Sequence, residues 1–580
     1  MRPETLAIRA VNQYRRRDIL AYLGLRYYLE NEAAKRDVWA KNVSIYLVNG
    51  RSAPIYFRSR HFKEISDQNS VVYRNLFVPG PNEILAETAL LYECSLHPAF
   101  KSLACVYSYH FPEAYSKEGV FRSYFPRYRS RHQSIAKACQ GLKQATVRYT
   151  DIRKFYPTIK IELANDAWKS ACDASKVSVS TRELGERLLD EHLKVASEHQ
   201  DGSSILTGPM FSHLIANLVL FKIDKIMYEK MQGNYWRYVD DMVLVGEKEQ
   251  VNNEREFLKS ILEDDLGLSL HDEEKDFSVD SETWLEGIND FSDSKGELWM
   301  NLISNIKRFL IAKPELRMDL LQAFLDNGIN IPIIDYSAVV SESSYVERFT
   351  DYLKRYSWFP NSVRNLSVQK LVKDALHTRN VYREKLSTLL DEDPQIKGYK
   401  RKRLLPKLRF YVGRLSYLAT PDSLSSTASS LASYPEMILE AAVMNAIQSR
   451  DVTSLLKFGA NAVQAAAQIF RIQKGLVNYS SDSLDDVELQ GIAILRLNGI
   501  QVSFSDQLSN RVSSDQLNQF ASGDNSTILM KSNDLFIKEI ACLRGVENLL
   551  RHQVLLETAF DRDEHMVFDV INQLRDSSYF

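Results

Sequence analysis

At 580 residues, with 44% hydrophobic and 26% charged side chains, the chain is expected to fold into several globular domains, which excludes both a single core and a disordered polymer. A net charge of −2 excludes whole-protein attraction to nucleic acid, so any such binding must come from local basic patches. Cys94, Cys105, Cys139, Cys172 and Cys542 have neither zinc spacing nor a disulfide pattern, no stretch reaches membrane-spanning length, and the first residues lack the apolar core of a signal peptide. A soluble, cytoplasmic protein is expected.

In chain order, residues 42–48 predict a strand closed by Asn49-Gly50, and residues 83–91, after the Pro79-Gly80-Pro81 break, predict a packing helix. Residues 121–145 interleave Arg122, Arg127, Arg129, Arg131, Lys137 and Lys143 with Phe121, Tyr124, Phe125 and Tyr128. The stretch reads either as a solvated basic loop or as a surface for phosphates and stacked bases. Residues 147–151 predict a strand that delivers Asp151 to its end, with Tyr156 placed to wall off a pocket above it. Helices are expected over 161–170 and 181–197. The turn-forming loop 203–212 then carries Gly208 into a helix over 213–220, where backbone can approach a ligand and amides can face an anion.

Residues 235–246 hold the most informative pattern. Two runs of β-branched and aromatic residues flank Asp240-Asp241, which reads as strand, tight turn, strand. An exposed hairpin tip would carry the acids harmlessly. If they are buried, each costs several kcal/mol to desolvate unless a cation sits beside it, and Mg²⁺ takes one or two carboxylates plus substrate phosphates. A helix over 251–262, the segment Leu266-Gly267-Leu268-Ser269-Leu270 and Lys275 follow. Beyond about residue 300 the chain reads as helical. Residues 397–414 form a dense basic run, either a solvated face or a nucleic-acid or partner-binding helix. The Ser-rich stretch 423–433 reads as a linker, and helices over 436–449, 452–470 and 537–556 as a bundle or irregular repeat.

Taken together, these elements resemble the palm of a reverse transcriptase over about residues 121–290. Asp151 matches the family's first catalytic aspartate, and Tyr156 the residue that excludes a ribose 2′-hydroxyl. Gly208, Ser212, Ala216 and Asn217 match the Gly-x-x-x-Ser-x-x-x-Ala-Asn element, Tyr238-Val239-Asp240-Asp241 the signature turn, and Lys275 the lysine after the Leu-Gly-Leu strand. Ser134-Ile135 with Ala138 is similar to an element of the bacterial retron enzymes. Departures are Leu206-Thr207 where the family has Pro-Gln before the glycine, and Gln133 in place of an arginine. With a long helical C-terminal part and no recognisable ribonuclease H or His-Asn-His segment, the chain looks most like the abortive-infection and unknown-group enzymes of bacterial antiphage defence.

The resemblance implies an α+β fold: fingers over 1–145, a palm with an antiparallel sheet over 146–300, a helical thumb-like region over 301–420 and an all-α C-terminal domain over 421–580. It implies dNTP polymerisation with two Mg²⁺ held by Asp151, Asp240, Asp241 and the Ile152 carbonyl, with Tyr156, Gly208, Ser212, Arg127, Arg129, Arg131 and Lys275 around the nucleotide. By the same resemblance, synthesis is untemplated, protein-primed or directed by a non-coding RNA, in a homo-oligomer joined through the helical region. An orthodox RNA-templated enzyme and a polymerase-like scaffold with a partner-binding C-terminus are the alternatives.

Overall fold

The computed structural model of the chain describes residues 9–10, 13–14, 56–66, 70–113, 119–122, 124–142, 144–199, 202–271, 275–287, 294–333, 365–472, 476–479, 486–497 and 500–504. The strand expected over 42–48, the helix expected over 537–556, Lys143 and Cys542 lie outside the described residues.

Strands β1 (Tyr56–Ile65) and β2 (Val71–Pro79) form an antiparallel hairpin, and Pro81 at the first helical position starts α1 (Pro81–Ser95) directly after it. The basic segment, for which a solvated loop is one reading, is instead a helix, α2 (Tyr124–Gly141). Its buried face runs through Tyr128, Arg131, Ile135 and Cys139, a helical spacing that the density of charges concealed.

Strand β3 (Thr146–Asp151) runs into a short helix, α3 (Phe155–Thr158), followed by α4 (Ile161–Asp173), α5 (Val179–His199) and α6 (Met210–Lys230). Strands β4 (Tyr235–Tyr238) and β5 (Asp241–Gly246), helix α7 (Lys248–Leu266), strand β6 (Phe277–Asp280) and helix α8 (Ser281–Glu286) complete the central unit. The sheet order is β4-β5-β3-β6, antiparallel throughout. Alternation along β5 sends Met242 and Leu244 into the main core, while Val243 and Val245 join Val147, Tyr149, Trp236 and Trp284 on the other face. The Leu-Gly-Leu segment is less of a strand than expected. Gly267 terminates α7 in the left-handed conformation at φ 64°, and pairing is limited to a bridge between Leu270 and Ile152.

The later part is largely helical: α9 (Ser294–Ala312), α10 (Arg317–Asp326), α11 (Val368–Leu390), α12 (Gly398–Leu418), α13 (Pro421–Leu431), α14 (Ile438–Ser449) and α15 (Ala460–Ile472). The stretch read as a Ser-rich linker is α13. Leu424, Ala428 and Leu431 bury one stripe of it, and Ser429 and Ser430 donate to the carbonyls of Ser425 and Ser426, so the serines serve the helix rather than break it. The C-terminal part is also not all-α. Strands β7 (Leu476–Tyr479) and β8 (Gln501–Phe504) pair in parallel, linked through α16 (Asp486–Leu497). Among the described residues, no helix is long and apolar enough to cross a membrane.

One buried cluster gives a pH prediction. His192 on α5 is wholly enclosed between Tyr56 and Phe211, and neither ring nitrogen has a hydrogen-bond partner. Burial pushes its imidazole down to about 3. The unfolded chain therefore binds a proton that the folded chain refuses, so this contribution to stability is complete above ~6.5 and is lost as pH falls toward about 3. Between pH 7 and 5.5, denaturant unfolding of His192→Leu should lose ~1 kcal/mol less stability than that of the wild type. Identical pH slopes would show that the histidine is not held neutral.

Candidate active site

The turn between β4 and β5 places the acids. Tyr238 pairs with Asp241, so Val239 and Asp240 are the two central residues of a tight hairpin. Val239 adopts φ 57°, a left-handed conformation that a β-branched side chain resists. Three contacts hold it there. The Ser108 hydroxyl accepts from its amide at 2.9 Å, Arg237 donates to its carbonyl at 2.6 Å, and the Ile152 amide ties the carbonyl of Asp240 to the end of β3 at 3.2 Å.

Arg237 is itself buried and needs its own counter-charge. Its guanidinium grips Asp224 of α6 with two bonds of 2.8 and 2.7 Å and donates to the Asn217 side chain at 3.1 Å. Tyr235 donates to the same Asp224 at 3.0 Å. The Ala216-Asn217 element thus acts as a brace behind the turn. Asp224 lies in no motif, and Arg237, although inside the 235–246 stretch, carries no sequence signal of a buried ion pair, so neither is among the expected site residues.

Asp151 stands directly opposite Asp241 in the β3–β5 register, where Cα atoms of antiparallel partners are ~4.5–5.5 Å apart, and Asp240 adjoins both. All three acids are buried. Burial raises the Asp151 carboxyl to about 6, with Lys275, Lys402 and Arg74 opposing. Burial, and then the charge of Asp151, push Asp240 well above the usual carboxylate range. Asp241 is raised to about 6 by burial, against Lys402, Arg131 and Lys275. Oδ2 of Asp151, Oδ1 of Asp240 and both carboxylate oxygens of Asp241 are enclosed and accept no hydrogen bond. Two buried, mutually repelling carboxylates with unsatisfied oxygens suit a divalent cation, which takes one or two carboxylates here and leaves room for phosphate oxygens. The Ile152 carbonyl lies between them in sequence, and neither the Asp151 carbonyl to His271 bond nor the Arg153 amide to Ser269 bond uses it. Among the described residues, no group of three or more His, Cys, Asp or Glu side chains is arranged to hold a metal ion.

The remaining expected residues fall into three sets. Lys275, and with it Arg74 of β2, which sequence reading overlooked, act on both Asp151 and Asp240. Arg131 is buried against Asp241, Arg127 lies over the Tyr107 ring at 5.7 Å, and Arg129 is half-buried on the same helix. Gly208 and Ser212 sit in the loop and first turn of α6. At Gly208, with φ 125°, a Cβ would lie 2.4 Å from the Phe77 carbonyl, and the Phe77 amide bonds Thr207 at 2.7 Å, so the glycine lets the loop seat on β2. The amides expected to face an anion do so internally, since Phe211 donates to the buried Glu87 carboxylate at 3.1 Å. Ser212 is buried.

Tyr156 follows Asp151 by one short turn and is partly exposed. Its hydroxyl meets Nδ1 of His213 at 2.5 Å, and the His213 ring stacks on Tyr109 at 4.0 Å. The dense basic run is neither a solvated face nor an open binding surface for the most part. In α12, Arg401 pairs with Glu436, Arg403 with Glu286 and Arg409 with Glu440, while Lys402 lies 4.0 Å from the Asp241 carboxylate. No family model matches the chain, and no curated protein matches it.

Proposed function

We propose that this chain is a nucleotidyltransferase of the reverse-transcriptase type that adds dNTPs to a growing strand. The observation that supports it most is the convergence of Asp151 and Asp240, from strands far apart in sequence, into one buried pair with unsatisfied oxygens and flanking cations. Asp151, Asp240 and the Ile152 carbonyl would hold Mg²⁺. When bound, the ions activate the attacking hydroxyl and neutralise charge on the triphosphate. Arg74 and Lys275 supply further positive charge where phosphates would lie, and the rigid turn fixes the acids in advance, as phosphoryl transfer needs positioning and charge stabilisation above all.

On this reading Tyr156, one short turn beyond Asp151 and partly exposed, would exclude a ribose 2′-hydroxyl. The resemblance to the antiphage enzymes of bacteria extends the proposal to a defence role, with an untemplated, protein-primed or RNA-directed product. The test is to incubate the purified chain with Mg²⁺ and each labelled dNTP or NTP, with and without RNA, and to separate protein, RNA and free DNA on a denaturing gel. Label from dNTPs alone is expected for wild type, and label from both sugars for Tyr156→Ala. No incorporation under any condition would reject the activity, and an unchanged sugar preference in the variant would reject the gate.

A further inference from the structure

Tyr156 is held by side chains from two other parts of the chain. Its hydroxyl shares a 2.5 Å hydrogen bond with Nδ1 of His213, in the first turn of α6, and lies 3.4 Å from the hydroxyl of Tyr109. The buried His213 ring lies flat on Tyr109, with centres 4.0 Å apart and planes 7° from parallel. Phe121 closes the group, meeting the Tyr109 ring edge-on at 5.3 Å. Tyr109 reaches this place through a left-handed backbone, φ 52°, which a bulky residue keeps only where its surroundings enforce it. The restraints lie on either side. The Arg122 amide donates to the His110 carbonyl at 2.8 Å, and Asn217 of α6 donates to the Ser108 carbonyl at 3.4 Å. Ser108 is also the residue whose hydroxyl accepts from the Val239 amide, so consecutive residues brace the acid-bearing turn and Tyr156.

Tyr156 is partly exposed, and a ring open to solvent on one side can change rotamer within nanoseconds. A wall that yields in this way is poorly suited to reject a ligand that differs by one added hydroxyl, a distinction that apolar pockets make weakly. One net hydrogen bond biases a rotamer ~5-fold, and here the bond runs to a ring that is itself buried and stacked. We propose that His213 is a specificity-determining residue: carried on the Tyr109 ring, it holds the Tyr156 hydroxyl and so fixes the ring that would face the sugar. Choice between dNTP and NTP then depends on the Tyr156 hydroxyl as well as on the bulk of its ring. His213 touches no substrate in this scheme and is a positioning residue acting through Tyr156. The role rests on the polymerase reading above, whereas the bond between Tyr156 and His213 does not.

The experiment compares kcat/KM for a dNTP and the matching NTP in the purified full chain. Tyr156→Phe, which keeps the ring and loses the hydroxyl, should lower the dNTP-over-NTP ratio ~5-fold, chiefly by raising NTP incorporation. His213→Ala should lower it to a similar extent, and the double variant should go little further than either single one. His213→Asn, whose Oδ1 can take the place of Nδ1, should keep the ratio within ~2-fold of wild type. Rates for both sugars that fall in parallel, with the ratio unchanged in Tyr156→Phe and His213→Ala, would overturn the proposal; a ratio that still drops in Tyr156→Ala would then leave the gate reading standing. If His213→Ala does not fold, Tyr156→Phe decides alone, and a wild-type ratio in it overturns the role. Thermal melts check the bond apart from activity: losses at 156 and 213 should be less than additive, and strict additivity would show that the two side chains do not act as a unit. A wild-type chain that incorporates neither sugar would overturn the polymerase reading, and the specificity role with it.

Discussion

Asp240→Asn is expected to lower dNTP incorporation by ~10³-fold or more while leaving the chain at least as stable as wild type in the absence of divalent ions. The loss follows from removing one of two carboxylates that the proposed chemistry needs. The retained stability follows from electrostatics. Asp240 is buried beside Asp151, with a carboxyl pushed well above its ordinary range, so neutralising it relieves a repulsion rather than breaking a bond. A site that gains stability when its functional group is removed shows the trade between stability and activity that catalytic residues impose. Labelled-dNTP incorporation and chelator melts of the two proteins check both halves. Incorporation near the wild-type rate would remove Asp240 from the proposed chemistry, and a large drop in melting temperature would show that its carboxylate is structurally satisfied.

Asp224→Ala should have the largest structural effect, a loss of ~3–5 kcal/mol, because it leaves the Arg237 guanidinium buried without its partner. The damage should reach the site as well. Arg237 also holds the carbonyl of Val239, whose left-handed φ of 57° needs that restraint. Adding Arg237→Met should recover much of the stability, since a pair replaced by apolar groups no longer contains an unpaired charge, yet it should not restore the turn. Denaturant unfolding of the single and double variants measures the coupling. Equal losses for single and double would show that Asp224 acts through its other contact, the Tyr235 hydroxyl.

Patterns with a short period are legible in the chain. Alternation around Asp240-Asp241 predicts the β4–β5 hairpin, and the apolar spacing of 161–170, 181–197 and 251–262 predicts α4, α5 and α7 within a few residues. Where composition was read instead of spacing, the expectation fails. The loop reading of the basic segment and the linker reading of the Ser-rich stretch give way to the helices Tyr124–Gly141 and Pro421–Leu431, because a stripe of a few buried side chains is enough to dock a helix whatever its exposed face carries. The parallel β7–β8 pair was also missed, since two four-residue strands offer too little alternation to stand out among helices.

By itself, then, the order of residues determined which local elements form and which acids end their strands. Local periodicity depends only on neighbours a few positions away. The tertiary structure decided what surrounds those acids: Arg74 from the first hairpin, Arg131 from α2, Lys275, and Lys402 from a helix more than 150 residues beyond the turn. Whether a carboxylate is stranded or paired depends on charges brought within a few ångströms by folding, and Coulomb energy at that range in a buried site outweighs anything sequence neighbours contribute.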